Sequence, residues 1–484
     1  MSDYKLFTQR IGLVGITNLI ISLRSIILLP ILTKSLGPYE YGIWAQLMVT
    51  ISLFTPLVTI GLLSGIIRFL AAETDKRKIQ EGLFSSLIVI FFSGLVFSFL
   101  LFLSSNFLSH TIFHTTEAIS LIKISAFIIL VGALDQAVLQ FFRTRRQMIK
   151  YSSFMLLESF GEVGLITYFV LSGFGLFGAI ISLLIVRSIN FGIMLFVIIS
   201  QIGIKLPHFT TIKPYLAFGL PMLPSYLFEW IINSSDRYVI GYFMGSSSVG
   251  VYSAAYAIGG IISMFIQPIS IVLYPTILKL WEEDKIEEVK TYLEYSLKYF
   301  LMLAIPSAFG LSVLAKPLLL SFTTAQFVYG SILIPIIAVS FLFYAFYSIN
   351  MYILAAAKKT KIVGEFLGIS AIVNFVLNVV FVPLVGILGA AISTLISLFI
   401  LSLLMYYQAV NYIKFNLGVI SILKIIFVSL IMSFLIFEYS PVGIVNILLS
   451  VVSAAFTYVC LLFILRVFNK DELKFFRNLF KALV

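Results

Sequence analysis

The sequence predicts an all-α membrane protein that crosses a lipid bilayer about fourteen times. Of its 484 residues, 61% are hydrophobic and 11% are charged, whereas soluble proteins contain about 25% charged residues. Only short polar segments separate one apolar run from the next, and about 20 apolar residues are enough to cross the hydrocarbon core as a helix. These observations exclude a soluble globular protein.

Fourteen apolar runs meet this length requirement when the chain is followed from its N-terminus. The segments between them are too short to form a soluble domain, and some runs almost touch, as at the stretch SGFG (172–175), which predicts tight helical hairpins. The predicted spans cover approximately residues 11–33, 42–71, 82–105, 118–142, 151–172, 176–202, 216–244, 249–277, 294–315, 329–357, 362–382, 386–410, 420–437 and 442–465.

The distribution of lysine and arginine predicts that both termini lie in the cytoplasm. With this orientation 25 of the 32 basic residues fall on the cytoplasmic side, and only Lys34, Lys123 and Lys316 fall outside. The positive-inside rule describes this bias. Topology therefore explains the net charge of +11, and no nucleic-acid partner is predicted. We expect a multi-pass protein of the cell membrane.

Two pairs of similar segments indicate an internal repeat. The segment LGPYEYGIW (36–44) is similar to MGSSSVGVY (244–252) at an offset of 208 residues. In the same order, GLFGAIIS (175–182) is similar to GILGAAIS (386–393) at an offset of 211. Small residues are common in membrane helices, so either match alone would be weak, but two matches at nearly one offset indicate duplication.

The repeat predicts two pseudo-symmetric lobes of six helices, residues 1–210 and 211–415, followed by residues 416–484 with spans thirteen and fourteen and a basic cytoplasmic tail. Because each repeat has an even number of spans, the two lobes should be related by an axis along the membrane normal. The glycines of the first repeated segment should lie at outer hairpins, where a positive φ or a close backbone approach is needed; they are Gly37, Gly42, Gly245 and Gly250.

Charged residues within the predicted spans are the candidates for function. Each costs about 2.5–3.5 kcal/mol at a helix centre, so each should face protein or a water-filled cavity. Arg24 lies near mid-membrane and favours a cavity, whereas Arg68 lies near a cytoplasmic end and favours snorkelling to the interface. The charged residues are Arg24, Arg68, Arg187, Arg237, Asp135, Glu158, Glu162, Glu229 and Asp236.

The spacing of these residues predicts which of them act together. Glu158 and Glu162 are four residues apart and share a helix face. Two like charges there compete for ionisation, which suits proton or cation exchange, but two separate salt bridges to other helices are an equal alternative. Asp236 and Arg237 are adjacent and therefore about 100° apart on a helix, which predicts that they do not pair simply with each other.

No arrangement typical of an enzyme appears in the sequence. We find no phosphate-binding glycine loop, no pair of carboxylates in an aqueous loop and no nucleophile elbow. The stretch HTIFH (110–114) has helical metal-ligand spacing but lacks a third ligand, so solvated histidines are the better interpretation. We predict a non-enzyme without a metal or cofactor.

Two stretches resemble a known family. They are LPILTKSLGPYEYGIWAQ (29–46), which follows an arginine-bearing first span, and FGLPMLPSYLFEWIINSSDRYVIGYFMGSSSVGVYSAAYAI (218–258). Both are similar to the polysaccharide or O-antigen flippases (Wzx-like), the polysaccharide-transporter branch of the multidrug/oligosaccharidyl-lipid/polysaccharide exporter superfamily. The resemblance covers nearly the whole chain and implies a MATE-like fold with two six-helix lobes around a central cavity.

The resemblance also implies what the chain transports. It implies a flippase that moves an isoprenoid-linked oligosaccharide between leaflets by alternating access, with membrane lipids, H⁺ or Na⁺ and polysaccharide-assembly proteins as partners. Arg24, Arg187 and Arg237 are expected to bind the cargo, and Asp135, Glu158 and Glu162 to couple an ion. Two alternatives stay open: a drug/cation antiporter, which would need a more acidic cavity, and a membrane glycosyltransferase or polymerase, which would need a large acidic outer loop.

Overall fold

The computed structural model describes residues 2–468 and Glu472, with the backbone alone for residues 2–14, 16 and 19. The predicted basic tail therefore lies, beyond residue 468 and apart from Glu472, outside the described residues. The described part of the chain is helical and contains no β-strand. Helices suit a chain of this composition because each satisfies its own backbone hydrogen bonds without water.

Eighteen α-helices follow one another in the described chain. In order they are α1 Ser2–Thr59, α2 Leu62–Leu70, α3 Lys76–Leu103, α4 Ser105–Leu108, α5 Ala118–Thr144, α6 Met148–Phe169, α7 Gly175–Ile202, α8 Ile212–Gly219, α9 Leu223–Met244, α10 Ser246–Gly259, α11 Ser263–Glu282, α12 Ile286–Val313, α13 Ala315–Phe322, α14 Leu333–Ala356, α15 Thr360–Val385, α16 Ile387–Ala409, α17 Val419–Tyr439 and α18 Ile444–Ile464.

Twelve helical segments among the described residues are long and apolar enough to cross a membrane, against the fourteen spans expected. Two of them, Ile20–Thr59 with 40 residues and Met148–Ile202 with 55, are unusually long. A straight helix of 55 residues would measure about 80 Å, far more than the hydrocarbon core of about 30 Å. The backbone leaves helical geometry within both segments, at Gly37 (φ 67°) and at Gly173 (φ 88°) and Gly175 (φ 55°).

The glycines of the two repeated segments contact each other. A Cβ atom at Gly42 would overlap the carbonyl oxygen of Ser246, and one at Gly250 would overlap the carbonyl oxygen of Pro38. The offset of 208 relates Pro38 to Ser246 and Gly42 to Gly250, so the two contacts are reciprocal. Gly245, like Gly37, has a positive φ, here 78°. The expected positive φ and close approach of these glycines are therefore confirmed.

The chain forms two compact units, residues Met1–Ala257 with Gly364–Ser397 and residues Ile258–Val363 with Leu398–Val484. In the first unit, Asp75 caps α3 by accepting a hydrogen bond from the backbone of Arg77 at 2.8 Å. In the second unit, Lys298 on α12 forms an ion pair of 2.8 Å with Glu472. The expected lobe boundaries at residues 210 and 415 stay a prediction.

Large apolar side chains cover the outer faces of the helices. More than half of the surface of each of several phenylalanines is exposed, which would be costly in water and is favourable in a bilayer. Together with the twelve apolar helices, these side chains show a multi-pass membrane protein. Examples are Phe92, Phe99, Phe107, Phe160, Phe196, Phe434 and Phe456.

Candidate functional site

Four of the charged residues expected to act in transport lie together in the first unit. Arg24 on α1 forms an ion pair with Glu162 on α6. The Nε atom of Arg187 on α7 lies 3.3 Å from Oε1 of Glu162 and 3.6 Å from Oε1 of Glu158. We call Arg24, Glu158, Glu162 and Arg187 the charge cluster. It joins three helices by alternating positive and negative side chains.

The two glutamates of the charge cluster share one face of α6, as their spacing predicts, because both reach the same arginine. They therefore do not form two independent salt bridges. Glu162 lies between Arg24 and Arg187, whereas the ion pair of Glu158 among the described residues is with Arg187. The two guanidinium groups stabilise two carboxylates that would otherwise repel each other at this spacing.

Asp135 on α5 lies beside the charge cluster and accepts a hydrogen bond from Asn190 on α7. Nδ2 of Asn190 donates a hydrogen bond of 3.0 Å to Oδ1 of Asp135, and both side chains are buried. One turn before Asp135, Gly132 leaves room for Arg187, since a Cβ there would lie 3.0 Å from Nη1 of that arginine. Asn190 was not singled out from the sequence, although its position three residues after Arg187 places both on one face of α7.

Exposure changes steadily across the charge cluster. The side chain of Glu162 is 2% exposed, those of Arg187 and Glu158 are 19% and 21% exposed, and that of Arg24 is 34% exposed. An anion that entered from the exposed side would therefore meet Arg24 first. A guanidinium has five N–H donors, and among the described residues Arg24 uses Nη1 for Glu162, so donors are left for another oxygen ligand.

Arg237 lies in a second, more buried group on α9 and α10. Its Nη1 atom donates to Oδ1 of Asp236 at 2.8 Å and to the carbonyl oxygen of Asn233 at 2.6 Å. Its guanidinium lies 4.0 Å from the ring centroid of Tyr256, and Tyr252 donates a 2.5 Å hydrogen bond to Oδ2 of Asp236. The contacts with both tyrosines were not predicted from the sequence.

The expectation that Asp236 and Arg237 do not pair with each other is wrong. The angle of about 100° between adjacent helical positions describes their Cβ directions. The arginine side chain is long enough to fold back to the neighbouring carboxylate, and burial favours this contact, because Asp236 is fully buried and the Arg237 side chain is 9% exposed. Arg237 as a cargo ligand stays a prediction.

Two family models and three known proteins are similar to this chain. The family model described as polysaccharide biosynthesis protein matches residues 7–281, and the MatE model matches residues 221–380. The "Probable flippase AglR" of Haloferax volcanii is 25% identical over 54% of this chain and 58% of its own length. The "Probable low-salt glycan biosynthesis flippase Agl15" of the same organism is 23% identical over 40% of this chain and 41% of its own length.

The chain thus spans about half the length of these curated relatives. Among solved structures, the inward closed conformation of the lipid II flippase MurJ has a TM-score of 0.77, covering 93% of this chain and 98% of that one. Because the two sequences are only 20% identical, this similarity shows a common fold and nothing about function. Since the first family model matches more than half of the residues, the chain belongs to the polysaccharide biosynthesis protein family.

Proposed function

We propose that this protein is a flippase that moves an isoprenoid-linked oligosaccharide across the cell membrane by alternating access, coupled to a gradient of H⁺ or Na⁺. Arg24 and Arg187 bind the phosphate groups that link lipid and sugar, with Arg237 as a further candidate. Asp135, Glu158 and Glu162 take part in ion coupling. The similarity to Agl15, a probable glycan biosynthesis flippase, supports a glycan cargo, and the similarity to AglR, a probable flippase, supports the transport activity.

The observation that carries this proposal is the position of Arg24. An arginine within an apolar span is costly unless it meets water or an anion, and this one is one third exposed beside a buried carboxylate. Its planar fork can donate two hydrogen bonds to one phosphate group. A cavity for drug-like cations would instead present free carboxylates, but here two arginines occupy Glu162.

A transport assay with two cargoes tests the proposal against the cation-antiporter alternative. Purified protein in liposomes should move a fluorescently labelled polyprenyl-pyrophosphoryl sugar between leaflets, measured as the fraction that an impermeant quencher reaches. The same vesicles should not accumulate or expel the cationic dye ethidium above the rate of protein-free vesicles. Transport of ethidium without transport of the lipid-linked sugar would favour the antiporter that the MatE match suggests.

We further propose fourteen spans with both termini in the cytoplasm. The departures from helical geometry at Gly37 and at Gly173–Gly175 would divide the two long segments, Ile20–Thr59 and Met148–Ile202, into two spans each. Reporter fusions after Lys150 and after Lys361 should then both show a cytoplasmic reporter. An external reporter at either position would contradict the topology, and a fusion after Gly175, expected outside, serves as the control.

A further inference from the structure

We propose that Glu162 is an internal occupant of the phosphate site. The phosphate of the cargo displaces the Glu162 carboxylate from Arg24, and Glu162 takes up one proton from the buffered solution in exchange. The Arg24–Glu162 ion pair breaks, the Arg24–phosphate contact forms, and no covalent bond changes. This inference deepens the proposed function and rests on it, because it assumes a phosphate-bearing cargo at Arg24.

Competition follows from the chemistry of the two anions. A carboxylate and a phosphate offer a guanidinium similar pairs of oxygen atoms, and both can bind it through two parallel hydrogen bonds. Arg24 is 34% exposed and Glu162 is 2% exposed, so the arginine stands between the accessible side and the carboxylate. An entering phosphate can therefore approach the arginine on its exposed side while Glu162 holds it from the buried side.

The surroundings of Glu162 explain why a proton must enter. Three helices pack against α6, and their charged groups near Glu162 are Arg24 on α1, Arg187 on α7 and Asp135 on α5; Glu158 lies on α6 itself. When phosphate engages Arg24, the nearby Arg187 is left to balance all three carboxylates. The carboxylates thereby lose one of the two positive charges that balanced them, and an unpaired buried charge is strongly unfavourable.

Glu162 is the carboxylate that we expect to take up the proton. Glu158 is 21% exposed and keeps Arg187 within 3.6 Å, and Asp135 keeps the hydrogen bond from Asn190. Glu162 is the carboxylate that loses a partner, and it is the least exposed glutamate of the charge cluster. Protonation removes the charge of that carboxylate.

The exchange has a consequence for the driving force. A pyrophosphate diester carries two negative charges, so cargo and proton together still move negative charge outward. A membrane potential that is negative inside favours the outward movement of negative charge. The proton moves outward together with the cargo. The charge cluster would thus couple transport to the electrical part of the gradient and make cargo binding stronger in acid.

Calorimetry on the purified full-length protein tests the exchange by counting protons. The probe is farnesyl-pyrophosphoryl N-acetylglucosamine, a diester whose phosphates do not titrate between pH 6 and pH 8. Titrations in PIPES and in Tris at one pH give different heats if binding takes up a proton. We expect about one proton per bound probe in the wild type, and an affinity that falls about tenfold for each unit of rising pH.

Two variants locate the group that takes up the proton. Glu162→Gln should bind the probe with no proton uptake and with an affinity that does not change with pH. The control Glu117→Gln, an exposed carboxylate in the same unit, should match the wild type. Probe binding by the wild type without proton uptake, or proton uptake that persists in Glu162→Gln, would overturn the exchange and leave the proposed function intact. If the wild type did not bind the probe, the proposed cargo would be wrong and the exchange would fall with it.

Discussion

Replacing Arg24 with Gln is expected to slow the movement of lipid-linked sugar about 100-fold. The guanidinium would donate two charge-assisted hydrogen bonds to a phosphate, each contributing about 1.5–3 kcal/mol, and a loss of about 3 kcal/mol corresponds to about 100-fold. Arg24→Lys keeps the charge but loses the planar guanidinium group that can donate two parallel hydrogen bonds, so we expect an intermediate rate. The liposome assay with the polyprenyl-pyrophosphoryl sugar measures both.

The matched control for Arg24 is Arg68→Gln. Arg68 is also an arginine of the first unit, but its guanidinium lies 4.4 Å from the ring centroid of Phe218 and is exposed, so its loss should leave transport near the wild-type rate. Arg187 lies 3.3 Å from Glu162 in the wild type, and Glu162 can take up a proton when the Arg24 guanidinium is absent, so the yield of folded Arg24→Gln protein should be normal. Wild-type transport by Arg24→Gln would contradict a phosphate site at this residue, and activity that falls only in step with protein yield would assign Arg24 a structural role.

Replacing Asp236 with Ala is expected to destabilise the protein by about 3–5 kcal/mol, the usual cost of removing one partner from a buried ion pair. The variant would leave the guanidinium of Arg237 without its carboxylate and the hydroxyl of Tyr252 without its acceptor. Thermal unfolding in detergent should show a much lower midpoint and a smaller yield of monodisperse protein. The control Glu438→Ala removes an exposed carboxylate and should leave both values unchanged.

A second substitution separates this explanation from a simple packing defect. In the double variant Asp236→Ala with Arg237→Met, no buried charge is left unpaired, so much of the lost stability should return. Equal instability of the single and double variants would show that the ion pair contributes little. The same double variant then reports on Arg237 as a cargo ligand, since a folded protein that transports normally would exclude that role.

Local spacing predicted much of the charge cluster. The four-residue separation of Glu158 and Glu162 predicted that both lie on one face of α6, and in the structure both form ion pairs with Arg187. The repeated glycines likewise predicted Gly37 and Gly245 with positive φ. These features depend on residues close in sequence or on a pattern that the chain repeats, and both kinds of information are present in a single sequence.

Partners far apart in sequence could not be predicted in this way. Arg24 and Glu162 are separated by 138 positions, and nothing in either segment specifies the other. The pairing of Asp236 with Arg237 was missed for another reason, because helix geometry fixes Cβ directions while a long side chain can bend. Hydropathy identified the apolar runs, but the points at which the backbone turns between neighbouring runs, as at Gly37 and Gly173, depend on single glycines.

A structure of the protein with bound farnesyl-pyrophosphoryl N-acetylglucosamine tests the central claim most directly. We predict a phosphate oxygen about 2.7–3.2 Å from the guanidinium nitrogens of Arg24, with the Glu162 carboxylate separated from Arg24 and still beside Arg187. A pyrophosphate bound elsewhere, with the Arg24–Glu162 ion pair intact, would contradict the account.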